Sequence, residues 1–236
     1  MSGPLTGLKV VDLSRILAGP TMTQILADLG AEVIKIERPG RGDDTRQWGP
    51  PFVTRDDDVS ASYFHSTNRG KASIIVDLRT EEGQNRLKAL LADADIMIEN
   101  FKVGTLVKFG LDYTSVAKSN PSVVYCSVTG FGQTGPWSQR PGFDLIAQAM
   151  GGVISATGED EDHLVRVGPP IGDTVPGLMA ALGLVSSLYR ARETGKGEFL
   201  DVSMVDAMMS ISESSQMMHT YMGRTIRPMG TGVDGI

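Results

Sequence analysis

The chain contains little that could form cross-links or hold a metal ion. Its 236 residues include one cysteine, Cys126, and three scattered histidines, His65, His163 and His219. One cysteine excludes an intrachain disulfide and argues against a cysteine-based metal site, and the histidines are not spaced for zinc. We therefore expect no metal centre and a cytoplasmic location, where thiols stay reduced.

Concentrated positive charge and long apolar runs are also missing. The 22 Lys and Arg are outnumbered by 28 Asp and Glu, the net charge is −6, and no basic block stands out. A nucleic-acid partner therefore has no electrostatic support. The N-terminus does not resemble a signal peptide, and the longest apolar stretch, residues 175–185, is too short to span a bilayer. The sequence predicts no membrane partner.

Short apolar runs rich in β-branched residues alternate with helical patterns along the chain. Residues 8–13 and 31–37 are predicted strands, and the helix between them has Pro20 in its first turn and Gly30 just past its end. This alternation predicts an α/β fold with a doubly wound, mostly parallel, Rossmann-like sheet. Further strands are predicted at 72–78, 95–99, 122–128 and 198–203, and Thr80 is a predicted helix cap.

Three helices are predicted in the second half of the chain, at 145–150, 174–192 and 205–222. The second is apolar on nearly every side as far as Val185, which predicts a largely buried helix. The third is rich in methionine, which predicts that it fills a core. We divide the chain into a large α/β domain, 1–195, and a strand and helix at 196–236 that lead to a second, smaller domain.

Four loops of unusual composition lie where a doubly wound sheet binds ligands, beyond the carboxyl ends of its strands. Taken singly, Arg38 and Lys102 are ordinary surface cations, Asn100 is a possible helix cap, and Asp173 is a natural N-cap of the helix that follows. Taken together, the four loops have a composition that would suit a phosphate-bearing ligand. The loops are residues 14–20, 37–40, 99–104 and 171–174.

Many motifs in this order resemble the family III coenzyme A transferases, also called the formyl-CoA and carnitine-CoA transferase family. The resemblance runs from about residue 5 to residue 230, and its strength lies in the number of matches. The motifs are L-K-V-V-D-L-S, A-G-P-x-x-T-Q-x-L-A-D-L-G-A-E-V-I-K-I-E-R-P-G, N-R-G-K-A-S-I, I-E-N-F-K-V-G-T-L, S-V-T-G-F-G-Q-T-G-P, R-P-G-F-D and I-G-D followed by an apolar helix.

The resemblance implies a CoA transferase that moves CoA from an acyl-CoA to a free carboxylic acid. The family's nucleophile is the aspartate of the G-D turn, here Asp173. The implied reaction would pass through an aspartyl anhydride and an aspartyl-CoA thioester. CoA and acyl-CoA would be substrates, and no tightly bound cofactor is implied. Asp144 stands where relatives have a second acidic residue near the reaction centre, although a helix N-cap is an equally good interpretation of it.

The resemblance also implies a CoA-binding set and an assembly. Cations of the set would meet the phosphates of CoA, and apolar members would hold its adenine. Active members of the family form interlocked homodimers, so we expect the region after Gly195 to contribute to a dimer interface. The implied CoA-binding residues are Leu17, Ala18, Arg38, Lys71, Asn100, Phe101, Lys108 and Phe109.

Two alternatives remain at the level of sequence. A 2-methylacyl-CoA racemase of the same superfamily would have a histidine at the place of Phe143, and phenylalanine cannot do acid–base work. An inactive CoA-binding or assembly fragment is the other alternative, since family members are longer and carry a glycine-rich loop and most of a second domain that this chain lacks.

Overall fold

The computed structural model of the protein describes residues 3–55 and 58–232. The strands are Lys9–Asp12 (β1), Glu32–Glu37 (β2), Phe52–Arg55 (β3), Asp58–Ala61 (β4), Ala72–Ile75 (β5), Ile96–Glu99 (β6), Val124–Thr129 (β7) and Phe199–Ser203 (β8). The helices are Ala18–Asp28 (α1), Ser62–Asn68 (α2), Glu81–Leu91 (α3), Tyr113–Ser119 (α4), Asp144–Met150 (α5), Ile171–Thr194 (α6), Met204–Ile211 (α7) and Glu213–Met222 (α8).

Six of the strands form one sheet in the order β5-β2-β1-β6-β7-β8. The pairings from β5 through β7 are all parallel. The chain adds strands on one side of β1 and then returns to the other side at β6, so the sheet is doubly wound as predicted. Central position explains the composition of β1, because Val10 and Val11 are fully buried and strands covered on both faces are apolar throughout.

Local signals in the sequence are confirmed at both ends of α1 and at the start of α3. Pro20 lies in the first turn of α1, where its missing N–H costs nothing. Gly30 follows α1 with φ of +99°, a conformation that a residue with a side chain rarely adopts. Thr80 caps α3 by accepting a hydrogen bond from the N–H of Gly83.

Two predicted caps are wrong, because both helices begin earlier than expected. Helix α6 starts at Ile171, since the carbonyl of Pro170 accepts from the N–H groups of Asp173 and Thr174 at 3.1 and 3.0 Å. Asp173 therefore lies in the first turn. Helix α5 starts at Asp144, and its N-cap residue is Phe143.

The predicted burial of the later helices is also partly wrong. Leu182 and Tyr189 of α6 are 71% and 70% exposed, and Met222 of α8 is 68% exposed. The predicted methionine-rich helix divides into α7 and α8 at Ser212, and Met208 of α7 is fully buried. An apolar pattern shows which faces avoid water, but whether another element covers them depends on the assembled structure.

Helix α6 is longer than the apolar stretch at residues 175–185, which by itself is too short to span a bilayer. Its 24 residues are long and apolar enough to cross a bilayer by length and composition, although 44% of that window is buried inside the protein. Buried core helices have the same composition, so the expected absence of a membrane partner stays a prediction.

The chain divides into two compact units. Unit 1 comprises Met1–Val128 and Gly177–Asp201, and unit 2 comprises Thr129–Pro176 and Val202–Ile236. The predicted boundary after residue 195 separates the large α/β domain from a segment that leads to a second, smaller domain. That division stays a prediction. Residues 233–236 of the predicted segment 196–236 lie outside the described residues.

Candidate functional site

Unit 1 contains a cavity of about 460 Å³ at the carboxyl ends of strands β1, β2, β5 and β6. Doubly wound sheets bind ligands at this edge, where the winding direction reverses. The volume is that of a site for a small organic ligand. Its lining residues are Leu13, Arg15, Ile36, Glu37, Arg38, Pro39, Arg41, Val76, Asp77, Leu78, Arg79, Phe101, Thr105, Lys108 and Phe109.

Cations outnumber carboxylates in the cavity lining. The two carboxylates are already paired: Glu37 binds the guanidinium of Arg46 with distances of 2.7 Å, and Asp77 binds Arg79. Burial alone would raise the pKa of Glu37, but Arg46 and other donors bring it down to about 2, so this side chain stays ionised. Arg15 and Arg38 face one further carboxylate, that of Asp44, which does not line the cavity, so positive charge is still in excess and suits an anionic ligand such as a phosphate. The cationic lining residues are Arg15, Arg38, Arg41, Arg79 and Lys108.

Aromatic rings lie beside these cations. The guanidinium carbon of Arg15 is 5.1 Å from the ring centre of Phe101, and the ammonium of Lys108 is 4.8 Å from that of Phe109. Flat apolar rings next to fixed cations could hold an aromatic base and its phosphates together.

Two polar residues fix the loops that carry this lining. Asn100 binds both backbone groups of Arg15: its Oδ1 accepts from the N–H at 2.9 Å and its Nδ2 donates to the carbonyl at 2.7 Å. Glu99 accepts from the N–H of Phe101 at 2.7 Å. Asn100 therefore joins the loops after β1 and β6, rather than capping a helix.

The structure brings four of the eight predicted CoA-binding residues to the cavity, namely Arg38, Phe101, Lys108 and Phe109. The remaining four do not line it. Leu17 is the N-cap residue of α1 and is buried with Ala18, and the ammonium of Lys71 is buried against Asp12, Pro20 and Asn68. Their assignment to CoA stays a prediction.

Three cationic lining residues are absent from the predicted CoA-binding set: Arg15, Arg41 and Arg79, although Arg15 belongs to the predicted ligand loop 14–20. Each follows shortly after a strand of the parallel sheet, which is the signal that could have found them. Elsewhere, within residues 3–55 and 58–232, no three His, Cys, Asp or Glu side chains cluster closely enough to hold a metal ion.

Unit 2 contains a different arrangement, the acidic pair Asp144 and Asp173. Asp144 starts α5, and its Oδ1 accepts hydrogen bonds from the N–H of Gly172 and from Gln148 Nε2, each at 2.8 Å. A Cβ on Gly172 would come within 2.5 Å of the carbonyl oxygen of Asp144. Glycine thus allows the turn before Asp173 to lie directly on the first residue of α5.

The carboxyl group of Asp173 is partly buried in this turn. Burial, followed by the charge of Asp144, raises its pKa to about 7. A carboxylate with such a pKa can act as a nucleophile or a base at neutral pH. The neighbouring Phe143 is 59% exposed and brings no titratable group.

Fold and site together define an α/β protein with a cation-lined cavity in one unit and a partly buried carboxyl group of raised pKa in the other. Comparison with known proteins narrows this class. CoA-transferase family III matches residues 5–236. A succinate–glutarate CoA-transferase of Agrobacterium fabrum is 44% identical over 223 residues, which cover 94% of this chain and 56% of that relative. A succinyl-CoA:mesaconate CoA-transferase of Haloarcula hispanica is 41% identical, with coverages of 94% and 57%.

Solved structures agree with these relatives. A CaiB/BaiF family protein from Brucella suis superposes with a TM-score of 0.95 at 47% identity, over 98% of this chain and 61% of that one. The chain belongs to CoA-transferase family III, which confirms the resemblance seen in its motifs. It spans about half the length of the curated relatives it matches.

Proposed function

We propose that the protein transfers CoA from an acyl-CoA to a free carboxylic acid. The observation that carries this proposal is the Asp173 carboxyl group, partly buried in the turn at the start of α6 with a pKa near 7, in a chain whose curated relatives are named CoA-transferases. Those names, and a phenylalanine at position 143, do not favour the racemase alternative. An activity assay on the purified chain would distinguish a transferase from an inactive CoA-binding fragment.

The proposed reaction passes through two kinds of covalent intermediate on Asp173, an anhydride and a thioester. The carboxylate oxygen attacks the thioester carbonyl, the C–S bond breaks, and an anhydride and a CoA thiolate result. The thiolate attacks the aspartyl carbonyl, which releases the donor acid and leaves an aspartyl-CoA thioester. The acceptor carboxylate attacks that thioester and expels the thiolate again, and the thiolate takes the acyl group of the new anhydride and frees Asp173. An anhydride keeps the free energy of the thioester, which hydrolysis would lose.

The cavity of unit 1 is the proposed site for the nucleotide end of CoA. Arg38 and Lys108 would bind its phosphates, and Phe101 and Phe109 would contact its adenine. Asn100 would support this site through the loop that it fixes. Leu17, Ala18 and Lys71 would act in the same indirect way, because their side chains are buried around the start of α1. We propose CoA as a substrate, with no tightly bound cofactor.

The relatives favour dicarboxylic acids as acceptors. Succinate, glutarate and mesaconate, the acids in the names of the two relatives described above, all carry two carboxyl groups. We propose succinyl-CoA as the donor and a short dicarboxylate as the acceptor.

A screen of acyl-CoA donors against acids tests both parts of the proposal. Purified protein is incubated with each pair, products are identified by mass spectrometry, and intact protein is weighed for an adduct of CoA. We expect transfer to dicarboxylates and an adduct that Asp173→Ala loses, while CoA still binds. Turnover of folded Asp173→Ala protein within about tenfold of the parent would remove Asp173 as nucleophile. A folded parent protein that binds CoA without any transfer would favour the inactive fragment.

We also propose a homodimer of interlocked chains in the cytoplasm. Large apolar side chains of α6 and α8, such as Leu182 and Met222, are exposed in the single chain, and surfaces of this kind usually meet a partner. Light scattering at micromolar concentration should give twice the chain mass. A stable monomer that does not bind the dye ANS would exclude the dimer. The location rests on the single, buried Cys126, and cell fractionation would test it.

A further inference from the structure

Gln148 joins two parts of unit 2 that are far apart in sequence. It lies on α5, and its side chain is completely buried. Its Nε2 donates to Asp144 Oδ1 at 2.8 Å, and its Oε1 accepts from the N–H of Val167 at 2.9 Å. Only this orientation of the amide satisfies both partners, since a carboxylate needs a donor and an N–H needs an acceptor.

Asp144 extends the connection by one more bond. The oxygen that receives Gln148 Nε2 also accepts from the N–H of Gly172 at 2.8 Å. Two backbone groups, at Val167 and Gly172, are therefore attached to α5 on either side of the turn that precedes α6. The carbonyl of Pro170, within this turn, accepts the N–H of Asp173 at 3.1 Å.

The position of the Asp173 carboxyl group thus depends on this set of bonds. Asp173 follows directly after Gly172, and Gly172 has no space for a side chain against Asp144. A shift of the turn by a fraction of an ångström would move the carboxylate by a similar amount. In a reaction that needs the attacking oxygen aligned with the thioester carbonyl carbon, misplacement by about 1 Å can lower the rate about 100-fold.

We propose that Gln148 is a positioning residue for the nucleophile, and that it acts through Asp144 by holding segment 167–172 against α5. The inference rests on the proposed role of Asp173. Glutamine suits the place because one neutral side chain supplies both a donor and an acceptor. Leucine would leave the N–H of Val167 without its bond, and glutamate would add a second negative charge beside Asp144.

Kinetics of Gln148→Leu test the proposal against a matched control. Gln24→Leu removes another buried helical glutamine, which donates to Asp28, one helical turn away, and to the carbonyl of Arg69 in unit 1. We expect kcat of Gln148→Leu to fall by about 10- to 100-fold with KM for the acyl-CoA nearly unchanged, whereas Gln24→Leu keeps kcat within about threefold. Equal kcat values for the two variants would overturn the inference.

A second variant keeps the test decisive if Gln148→Leu does not fold. Asp144→Asn retains an oxygen that can accept from Gln148 and Gly172 but removes the charge beside Asp173. The acid side of the pH–rate profile should move to lower pH, with a loss of less than about tenfold in kcat at alkaline pH. A loss as large as that of Asp173→Ala would mean that Asp144 takes part in the chemistry itself, and the positioning role would be wrong.

Failure of the proposed function gives a different pattern. Active Asp173→Ala protein would remove the nucleophile whatever Gln148 does, whereas an inactive Asp173→Ala protein beside a fully active Gln148→Leu protein would remove only the positioning role. Hydrogen exchange of the Gly172 amide needs no turnover. It should be faster in Gln148→Leu than in Gln24→Leu, and equal protection in the two would contradict the proposed attachment.

Discussion

Buried carboxyl groups occur in both units, but their surroundings differ. In unit 1, Asp12 is completely buried and receives hydrogen bonds from Thr23 at 2.6 Å and from the Lys71 ammonium at 3.3 Å. In unit 2, Asp173 is near the like charge of Asp144, and the guanidinium of Arg166 is 4.0 Å from Asp144.

The two environments shift pKa values in opposite directions. Burial would raise the pKa of Asp12, yet Lys71, Lys35 and two hydroxyl donors together lower it. Burial and Asp144 both raise the pKa of Asp173. Burial alone therefore does not decide whether a carboxyl group is ionised, because nearby cations and hydrogen-bond donors can reverse the shift of its pKa.

The buried carboxylates of unit 1, Asp12 and Asp43, are paired with the ammonium groups of Lys71 and Lys35, and this network supports a loop. Lys35 binds Asp43 at 2.9 Å and the carbonyl of Ser14 at 2.9 Å, and the Asp43 carboxylate accepts from the N–H of Ile16 at 3.3 Å. Ile16 has φ of +72°, a strained value for a β-branched residue, which persists only when its surroundings fix it. The paired charges of unit 1 thus hold a loop in place, whereas the pKa of the Asp173 carboxyl in unit 2 stays raised.

The largest effect should follow from breaking the compensated pair. Asp12→Ala leaves the Lys71 ammonium buried without its counter-charge, so we expect a loss of about 3–5 kcal/mol in the free energy of unfolding, measured with urea. Asp93→Ala removes an exposed partner of Lys9 and serves as the control, with little change expected. Equal stability of the two variants would show that the buried network contributes nothing.

The next effect concerns the cations that line the cavity. Arg38→Ala should weaken CoA binding by about 10- to 100-fold, the loss of one charge-assisted contact to phosphate, with less effect on turnover once CoA saturates. Calorimetry measures the affinity. Arg69→Ala, whose guanidinium pairs with Asp28 and does not line the cavity, is the control. Unchanged affinity in Arg38→Ala would remove Arg38 from the site.

Neutralising the uncompensated carboxyl of unit 2 should stabilise the fold. The pKa of Asp173 is about 7 in the folded protein, against 3.8 for the ordinary group. The cost of ionising this buried group therefore does not lower the free energy of unfolding below about pH 4; the loss grows up to about pH 7 and stays constant at higher pH. We expect the free energy of unfolding of Asp173→Asn to exceed that of the parent protein by about 1–3 kcal/mol at pH 8 and to equal it at pH 4. A variant less stable at pH 8 would contradict the uncompensated burial.

The smallest effect is expected at Glu99, an uncompensated carboxyl within unit 1. Burial raises its pKa to about 7, although Ser127 and the N–H of Phe101 oppose the shift. Glu99→Gln can still accept from Phe101, so we expect a gain of about 1–2 kcal/mol in unfolding free energy at pH 8, which shrinks toward pH 4. A gain that is the same at both pH values would point to packing instead of ionisation.

The amino-acid sequence by itself determined the pattern of elements and the family. Alternating apolar periods give the parallel sheet, Thr80 and Gly30 act within a few residues of their own positions, and the order of motifs identifies the family. The same local signals placed Arg38 and Phe101 in loops that share one edge of the sheet, because parallel strands all end there. Lys108 and Phe109 were named by the family resemblance.

Tertiary structure alone decided which polar groups meet. Lys71 binds Asp12 across 59 residues, Asn100 binds Arg15 across 85, and Gln148 binds Val167 across 19. No period or cap in the sequence encodes such pairs, since each forms only after helices and strands have packed. The start of α6 at Ile171, and hence the setting of Asp173, is fixed in the same way, by hydrogen bonds that the folded turn makes possible.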